Sequence, residues 1–257
     1  MLLVIKTGSA TLSKKNGGLD SAAVRRIAQQ LAFARKRGHD VIVVSSGAIA
    51  AGVGRLHLKQ RPRDLQEKQA TAAVGQVALM HEYQKALSKY GIIPAQLLLT
   101  REDLMDRKRY LNVRHTLLHL LSHKTIPIIN ENDSVSTDEI QFGDNDALSS
   151  IVAVKVGADK LILLSDIPGL FEQDKNGHLT ARVIPVVKRV TSAMLKKASR
   201  VRGSKLSVGG IVTKLTAARR ATAAGIETWI ASGKSKDSVE RILRGEPRSG
   251  TKFLARH

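Results

Sequence analysis

Apolar residues follow two spacings along this chain, and the two alternate from the N-terminus onwards. Short, almost continuous apolar runs predict buried strands at residues 2–6, 41–45, 94–100, 125–129, 160–165 and 227–231. Between these runs, apolar positions recur every three or four residues, which is the spacing of a helix that buries one face. This second pattern predicts helices at residues 20–37, from 70 to just before 91, and at 110–121, 147–156, 193–200, 211–224 and 236–244.

Strands that alternate with helices of this length are typical of a mostly parallel sheet with helices on both faces, so we predict an α/β protein. Two passages interrupt the alternation. Residues 166–187 are rich in loop signals, and Asp174-Lys-Asn-Gly has the composition of a hairpin turn. Residues 203–210 are predicted to be a loop ahead of the helix that Gly225 ends. No internal repeat or long linker divides the chain, so we predict one domain.

Acidic and amide residues are concentrated between the predicted strand 125–129 and the predicted helix 147–156. Within the stretch 130–150 lie the carboxylates of Asp133, Asp138, Glu139, Asp144 and Asp146. In open α/β sheets, residues between the end of a strand and the start of a helix face a ligand crevice. A turn and a helix cap account for one or two of these residues, but not for so many together. We therefore predict a ligand site here.

The composition excludes several classes of protein. The chain has no cysteine, which rules out disulfides, zinc–thiolate clusters and thiol catalysis and favours a reducing compartment. The first residues enter a strand without a secretory leader, and no apolar run approaches the roughly 18 residues that span a bilayer. We expect a soluble, cytoplasmic protein without a membrane partner.

The formal charge of +20 is uneven, since residues 188–257 hold 17 basic and 4 acidic residues. An anionic substrate such as ATP, a nucleic acid, or a merely solvated basic surface would each fit this excess. Aromatic residues are only 3% of the chain, which leaves few platforms for stacking bases of a single strand. A solvated basic face combined with an ATP site is therefore favoured over specific nucleic-acid binding.

Phosphate binding is indicated by small-residue turns, although neither common phosphate motif is present. Three such turns stand at strand-to-helix junctions: Gly8-Ser9, Ser45-Ser46-Gly47 and Ser207-Val-Gly-Gly. Each can present backbone N–H groups at a helix N-terminus, where the helix dipole favours an anion. Lys6 ends the first strand, and Lys214 lies in the first turn of the predicted helix 211–224. A lysine there opposes the dipole, and a bound anion would remove the conflict.

Seven segments together resemble the glutamate 5-kinases of the amino acid kinase superfamily. They are Val4-Ile-Lys-Thr-Gly-Ser, Val44-Ser-Ser-Gly-Ala-Ile-Ala-Ala-Gly, Gln96-Leu-Leu-Leu-Thr-Arg, Asn130-Glu-Asn-Asp, Gly143-Asp-Asn-Asp, Gly157-Ala-Asp-Lys-Leu-Ile-Leu-Leu-Ser-Asp and Gly209-Gly-Ile-Val-Thr-Lys. They occur in the family's order and cover essentially the whole chain. The segments that begin at Asn130 and Gly143 look specific to glutamate 5-kinases, whereas the last two are shared across the superfamily.

The resemblance implies a three-layer α/β/α sandwich with a mostly parallel central sheet, the amino acid kinase fold. It implies ATP- and Mg²⁺-dependent phosphorylation of the side-chain carboxylate of L-glutamate, the first step of proline synthesis. It further implies one kinase domain over residues 1–257, with a substrate lobe at 1–155 and a nucleotide lobe at 156–257. A homo-oligomer, feedback inhibition by proline and coupling to glutamyl phosphate reductase are also implied. Many relatives carry a C-terminal PUA domain, and none is expected here.

The resemblance also assigns roles by motif position. The matched positions are Lys6, Lys214 and Asp146 for catalysis; Ser46, Asp133 and Asn145 for glutamate; and Gly8, Ser165, Asp166, Val208, Gly209, Gly210, Ile211, Val212, Thr213 and Lys214 for the nucleotide. The two lysines would neutralise the transferring phosphoryl group, Asp146 would hold them in place, and Mg²⁺ would sit on the ATP phosphates rather than on protein ligands. Thr7 departs from the family, which usually has an aliphatic residue there.

Other activities remain open on the residues alone. Within the superfamily, the acceptor could be N-acetylglutamate, aspartate, carbamate or a nucleotide; outside it, the chain could be a non-catalytic nucleic-acid-binding regulator. The acidic stretch 130–146 favours a substrate with a free ammonium group, and the retained Lys6, Lys214 and Asp146 favour catalysis. A carboxylate with a pKa of about 4.3 is already deprotonated at neutral pH and needs no general base. Positioning and positive charge would then supply most of the rate.

Overall fold

An eight-stranded sheet forms the centre of the molecule. The computed structural model describes residues 1–14, 17–136, 145–174, 178–200 and 208–256. The strands are β1 (Leu2–Thr7), β2 (Asp40–Ser45), β3 (Pro94–Leu99), β4 (Ile126–Glu131), β5 (Lys160–Ser165), β6 (Phe171–Gln173), β7 (Leu179–Val183), β8 (Val186–Val187), β9 (Glu227–Ser232) and β10 (Thr251–Phe253). The helices are α1 (Ser9–Leu12), α2 (Ser21–Lys36), α3 (Ala48–Arg55), α4 (Leu65–Leu87), α5 (Arg101–Met105), α6 (Arg107–Ser122), α7 (Asn145–Val156), α8 (Ser192–Arg200), α9 (Val208–Ala223) and α10 (Ser238–Leu243), with a 3₁₀ turn at Ser88–Tyr90.

The strand order brings separate parts of the sequence to one edge of the sheet. The order is β3-β4-β2-β1-β5-β9-β10-β8, and β6 and β7 form a separate hairpin. Neighbours in the large sheet run parallel except for β9 and β10. The first five strands and β9 therefore end at the same edge, where ligands bind in open α/β sheets.

Helices cover both faces of the sheet, which confirms the predicted three-layer α/β/α architecture. On β1, Val4 packs with residues of α5 to α9, whereas Leu3 and Ile5 pack with residues of α1 to α4 and α10. Successive side chains of a strand point to opposite faces, so both faces of β1 are apolar and buried. Within the described residues, no helix has both the length and the apolar character needed to cross a membrane.

The six predicted strands and seven predicted helices are all present, with bounds that shift by a few residues. The long helix begins at Leu65, five residues earlier than predicted, because Asp64 caps it by accepting a hydrogen bond from the Glu67 N–H at 2.8 Å. The hairpin is confirmed by the antiparallel pairing of β6 and β7, although its turn residues 175–177 lie outside the described part.

Five helices and strands were not predicted, and one prediction of a loop was wrong. The helices α1, α3 and α5 and the short strands β8 and β10 lie where no element was expected. The three helices have four, eight and five residues and the two strands three or fewer, too short for a periodic pattern. Residues 208–210 form the first turn of α9 rather than a loop, because the low helix propensity of Gly209 and Gly210 matters less at a helix terminus than in its interior.

Two glycines let α3 and α4 approach until their backbones nearly touch. A Cβ on Gly52 would lie 1.9 Å from the carbonyl oxygen of Thr71, and a Cβ on Gly75 would lie 1.8 Å from that of Ala48. No side chain fits at such distances, so only glycine permits this crossing. The N-terminus of α3 follows directly from β2, and α4 thereby fixes it at the ligand edge of the sheet.

We expect Gly52→Ala to destabilise the protein by about 1–3 kcal/mol, because the added methyl group forces the two helices apart. Gly54→Ala in the same helix is the matched control, since its Cβ would be 3.4 Å from its nearest neighbour, the Cα of Gly18. Urea denaturation followed by circular dichroism measures both. Equal stabilities of the two variants would contradict the steric explanation.

Candidate active site

A buried carboxylate joins the two lysines that the sequence singled out. Asp146 is fully buried in the first turn of α7, and its Oδ1 lies 2.6 Å from the Nζ of Lys6. Its Oδ2 lies 3.0 Å from the Nζ of Lys214 and accepts a hydrogen bond from the Thr213 hydroxyl, also at 3.0 Å. Lys6 and Lys214 are 2% and 8% exposed. The carboxylate of Asp146 thus holds the two lysine side chains beside each other.

Lys214 reaches this position from the second turn of α9, not from the first turn as predicted. Side chains on a helix lean toward its N-terminus, and the Nζ of Lys214 accordingly donates to the carbonyl oxygen of Gly210 at 3.2 Å. The ammonium group of this lysine therefore has a carbonyl oxygen of the first turn as a hydrogen-bond partner. The conflict with the dipole that the sequence suggested is correspondingly smaller.

Gly8 keeps the approach to Lys6 open. It follows β1, its N–H donates to the carbonyl oxygen of Leu164 at 3.3 Å, and a Cβ there would stand 3.5 Å from the Lys6 Nζ. The N–H of Gly8 is therefore engaged with the neighbouring strand, and the predicted anion contact at this turn falls to the next N–H groups of α1. The first N–H groups of a helix have no partner within it.

The remaining predicted nucleotide positions end β5 or begin α9. Ser165 is buried, and its hydroxyl donates to the exposed carboxylate of Asp166 at 3.0 Å. The residues from Val208 to Thr213 form the first turns of α9, so their backbone follows the helix N-terminus. Ser207 of the same turn lies outside the described residues, as do Asp138, Glu139, Gly143 and Asp144.

The three predicted glutamate positions share one cavity of about 740 Å³. Ser46, Asp133 and Asn145 all line it, together with Glu131 and with the first residues of α3, 47–50. Other parts of its wall come from residues 58–61 and from α4. The cavity reaches Ser9 and Asn145, which are the chain neighbours of Gly8 and Asp146, so this part of its wall lies one residue along the chain from the lysine cluster.

A relay of amide side chains fixes the inner wall of this cavity. The Nδ2 of Asn145 lies within 3.0 Å of the Ser46 hydroxyl, the Ser45 carbonyl oxygen and the Asn130 side-chain oxygen. Asn130 donates in turn to Gln76 at 3.0 Å, and Gln76 donates to Gln96 at 3.0 Å. The relay ties β2, β3, β4, α4 and α7 to one another, so Asn145 is held in a single orientation.

Sequence reasoning did not assign a role to Gln76. The signal was present, because a glutamine stands there among the apolar residues of a helix that packs on the sheet. A polar residue at a buried helical position needs hydrogen-bond partners, and those of Gln76 are Asn130 and Gln96 of the relay at the site.

A second polar cluster explains the departure at Thr7. Its hydroxyl donates to the Ser45 hydroxyl at 3.3 Å, and the Ser45 hydroxyl lies 3.0 Å from the phenol oxygen of Tyr83. All three side chains are buried, and burial raises the pKa of the Tyr83 phenol. An aliphatic residue at Thr7 would lose its hydrogen bond, so this threonine is matched to its neighbours at the end of β2.

Asp133 has an unusual environment for a carboxylate. Burial raises its pKa to about 6, and the positive charge of Arg61 opposes the rise only in part. A carboxylate that is held in a cavity, with its negative charge only partly offset, gains from a cationic ligand group.

Among the residues that the structure describes, no group of three or more histidine or acidic side chains could hold a metal ion.

Comparison with known proteins gives consistent results. Residues 1–232 match the model of the amino acid kinase family. The chain is 49% identical to the glutamate 5-kinase of Moorella thermoacetica, over 99% of this chain and 67% of the relative. It is 46% identical to the glutamate 5-kinase of Caldanaerobacter subterraneus subsp. tengcongensis, over 99% of this chain and 68% of the relative. It is 47% identical to the glutamate 5-kinase of Clostridium acetobutylicum, covering 99% of this chain and 95% of the relative.

We expect Asp146→Asn to cost about 3–5 kcal/mol of stability, because it removes the buried negative charge that pairs with both lysines. Asp166→Asn removes an exposed carboxylate at the same edge of the sheet and should change the stability by less than about 0.5 kcal/mol. Thermal and urea unfolding of both variants provide the measurement. A stability of Asp146→Asn equal to that of the unmodified chain would show that the lysines do not depend on this carboxylate.

Proposed function

Because this chain belongs to the amino acid kinase family, we propose that it transfers the γ-phosphoryl group of ATP to the side-chain carboxylate of L-glutamate. The products are L-glutamyl 5-phosphate and ADP, and the reaction is the first step of proline synthesis. The observation that supports this proposal best is the buried Lys6–Asp146–Lys214 cluster, which adjoins the cavity that contains Asp133. The relatives named above are glutamate 5-kinases.

The chemistry asks the protein for charge and position rather than for proton transfer. The acceptor carboxylate has a pKa of about 4.3, so it attacks the γ-phosphorus as an anion and no general base is needed. Two negative partners must be brought together, and Lys6 and Lys214 lower the repulsion between them. Asp146 accepts from both ammonium groups and fixes their direction, so no reorganisation is required when negative charge shifts during transfer.

The cavity orients glutamate by its ammonium group. Asp133 receives the α-ammonium in a charge-assisted hydrogen bond. Ser46 and Asn145, which lie 2.9 Å apart, hold the side-chain end of glutamate toward Gly8 and the lysine pair. The amide relay behind Asn145 keeps this end of the cavity rigid, so the acceptor carboxylate is held in line with the phosphoryl group.

The nucleotide lies on the side of β5 and α9. Ser165 and Asp166 contact the nucleoside part, and the backbone from Val208 to Lys214 with Gly8 surrounds the phosphates. The space left by Gly8 beside the Lys6 Nζ fits a phosphate oxygen. Mg²⁺ on the ATP phosphates supplies further neutralisation of their charge.

Several properties follow from this role in proline synthesis. The enzyme works in the cytoplasm, where glutamate and ATP are available. Proline, as the end product, acts as a feedback inhibitor. The acyl phosphate product hydrolyses readily, which favours coupling to the glutamyl phosphate reductase that consumes it.

The open edge of the sheet supports a homo-oligomer. Within the described chain, β3 is the terminal strand of the sheet and pairs with β4. Beside it, Val74 and Val77 on α4 and Ile93 are 41%, 73% and 68% exposed. An apolar surface beside an unpaired strand edge favours pairing with another chain. A two-fold copy is the simplest partner, because both chains then use the same surface.

The reaction itself is tested by measuring ADP release from ATP with one of four acceptors: L-glutamate, N-acetylglutamate, aspartate or UMP. For the three carboxylate acceptors, the acyl phosphate is also trapped with hydroxylamine. We expect L-glutamate to be preferred to N-acetylglutamate by a factor on the order of 10⁴, because acetylation leaves Asp133 without its charged partner. Lys214→Ala should lower kcat about 10²–10³-fold with little change in KM for glutamate. Lys89→Ala, which removes an exposed lysine far from the site, is the control. Comparable kcat/KM values for the two glutamates would instead assign the chain to acetylglutamate phosphorylation.

The raised pKa of Asp133 makes glutamate binding dependent on pH. Below about 6 the carboxyl group is increasingly neutral and loses its attraction for the ammonium group. We expect KM for L-glutamate to rise by up to about tenfold per pH unit as the pH falls from 7 to 5. Glutamate itself hardly titrates in this window. Asp133→Asn should bind L-glutamate weakly, with a KM that is almost independent of pH. If its KM instead depended on pH as steeply as that of the unmodified enzyme, the titration would belong to another group.

For the oligomer, Val77→Asp should shift the protein toward monomer in sedimentation velocity, because it places a charge in the apolar surface beside β3. Val154→Asp is the matched control, since Val154 is also an exposed valine on a helix but lies on α7. Equal association of both variants would move the contact to another surface.

A further inference from the structure

The cavity has cationic side chains that the phosphoryl transfer described above does not use. Four cations line it: Lys14, Lys59, Arg61 and Lys68. The carboxylates of Glu131 and Asp133 line the same cavity. Under the proposed function, the substrate also has a group without a partner so far. L-Glutamate carries an α-carboxylate as well as its α-ammonium and its side-chain carboxylate.

The position of the α-ammonium restricts where the α-carboxylate can bind. Both groups are attached to the same carbon, so the partner of one must stand beside the partner of the other. Arg61 is the cation whose charge acts on Asp133. An arginine also offers two parallel N–H donors to a carboxylate, which a lysine does not.

Helix α4 fixes the turn of Asp133 and the loop of Arg61 relative to each other. Gln69 on α4 donates to the carbonyl oxygen of Ser136 at 3.0 Å, and the Ser136 N–H closes the turn of Asp133 by donating to the Asn132 carbonyl oxygen at 3.1 Å. The loop of Arg61 leads directly into the same helix. Pro62 is buried, and Asp64 caps α4, so the backbone on the C-terminal side of Arg61 is anchored.

We propose that Arg61 binds the α-carboxylate of the substrate while Asp133 binds its α-ammonium, so that the pair recognises an α-amino acid as such. This proposal rests on the proposed function. With the side-chain carboxylate directed at the lysine pair, the substrate is held at three points. Three fixed points distinguish L-glutamate from D-glutamate and from 4-aminobutyrate, which has the same chain and ammonium group but no α-carboxylate.

The test combines a change in the protein with a change in the substrate. We measure kcat/KM for L-glutamate and for 4-aminobutyrate, with both the unmodified enzyme and Arg61→Met. If 4-aminobutyrate reacts too slowly, its inhibition constant against L-glutamate is measured instead. We expect Arg61→Met to lower kcat/KM for L-glutamate about 10- to 100-fold, as for loss of a hydrogen bond between charged groups. For 4-aminobutyrate the change should be less than about threefold, because the interaction that is lost was never made.

Arg63→Met is the matched control for charge. Arg63 is an exposed arginine of the same loop. It lines a neighbouring depression, which Arg61 also lines, but it does not line the 740 Å³ cavity. It should leave the ratio of the two substrates unchanged, whereas Arg61→Lys should restore part of the preference. Unchanged thermal unfolding of each variant shows that the loop change has not disturbed the fold.

Three results would overturn the assignment. Arg61→Met could lower kcat/KM equally for both substrates, which would indicate a general attraction of anions. It could also leave the preference for L-glutamate over 4-aminobutyrate unchanged. The same preference could instead disappear in Lys68→Met, which would assign the α-carboxylate to that lysine. An unmodified enzyme that phosphorylates none of these acceptors would refute the proposed function itself, and the assignment of Arg61 with it.

Discussion

Asp146 lies between two lysines in the interior of this protein. At 2.6 Å and 3.0 Å from the two Nζ atoms, its carboxylate offsets the repulsion between the two positive charges. Much of the fold converges on this contact. Lys6 comes from the central strand, Asp146 from the first turn of α7 and Lys214 from the second turn of α9. The packing of α7 and α9 on the same face of the sheet is therefore a condition for the cluster.

The parts of the fold that sequence predicted well are those with a long repeating signal. Parallel strands buried on both faces read as apolar runs, and β1, β2 and β5 are of this kind. The position of the site also followed from the sequence, since residues after parallel strands meet at one edge. Lys6, Ser46 and Asp133, which are far apart in the chain, were assigned to one active site by the resemblance to glutamate 5-kinases.

Other features could not be read because they depend on contacts between distant residues. Helix α3 has eight residues, and its close approach to α4 through Gly52 and Gly75 leaves no periodic signal. The amide relay is similar, because Gln76 is recognisable as part of the site only when Asn130 is known to lie beside it. The start of α9 was placed three residues late because Gly209 and Gly210 have low helix propensity, a weak guide at a helix end.

Net charge was the least informative property of the chain for its function. The excess of +20 suggests a surface that attracts anions everywhere, yet the cavity is lined by both signs, with Glu131 and Asp133 as well as Arg61 and three lysines. Such an arrangement suits a zwitterion better than a simple anion. A uniformly basic cavity would bind ATP phosphates and glutamate carboxylates without distinction, and the two substrates would compete for one place. Opposite charges in the cavity and a separate lysine pair next to it give each substrate its own position. The separation of these charges, rather than their sum, is what allows two anions to meet in a productive orientation.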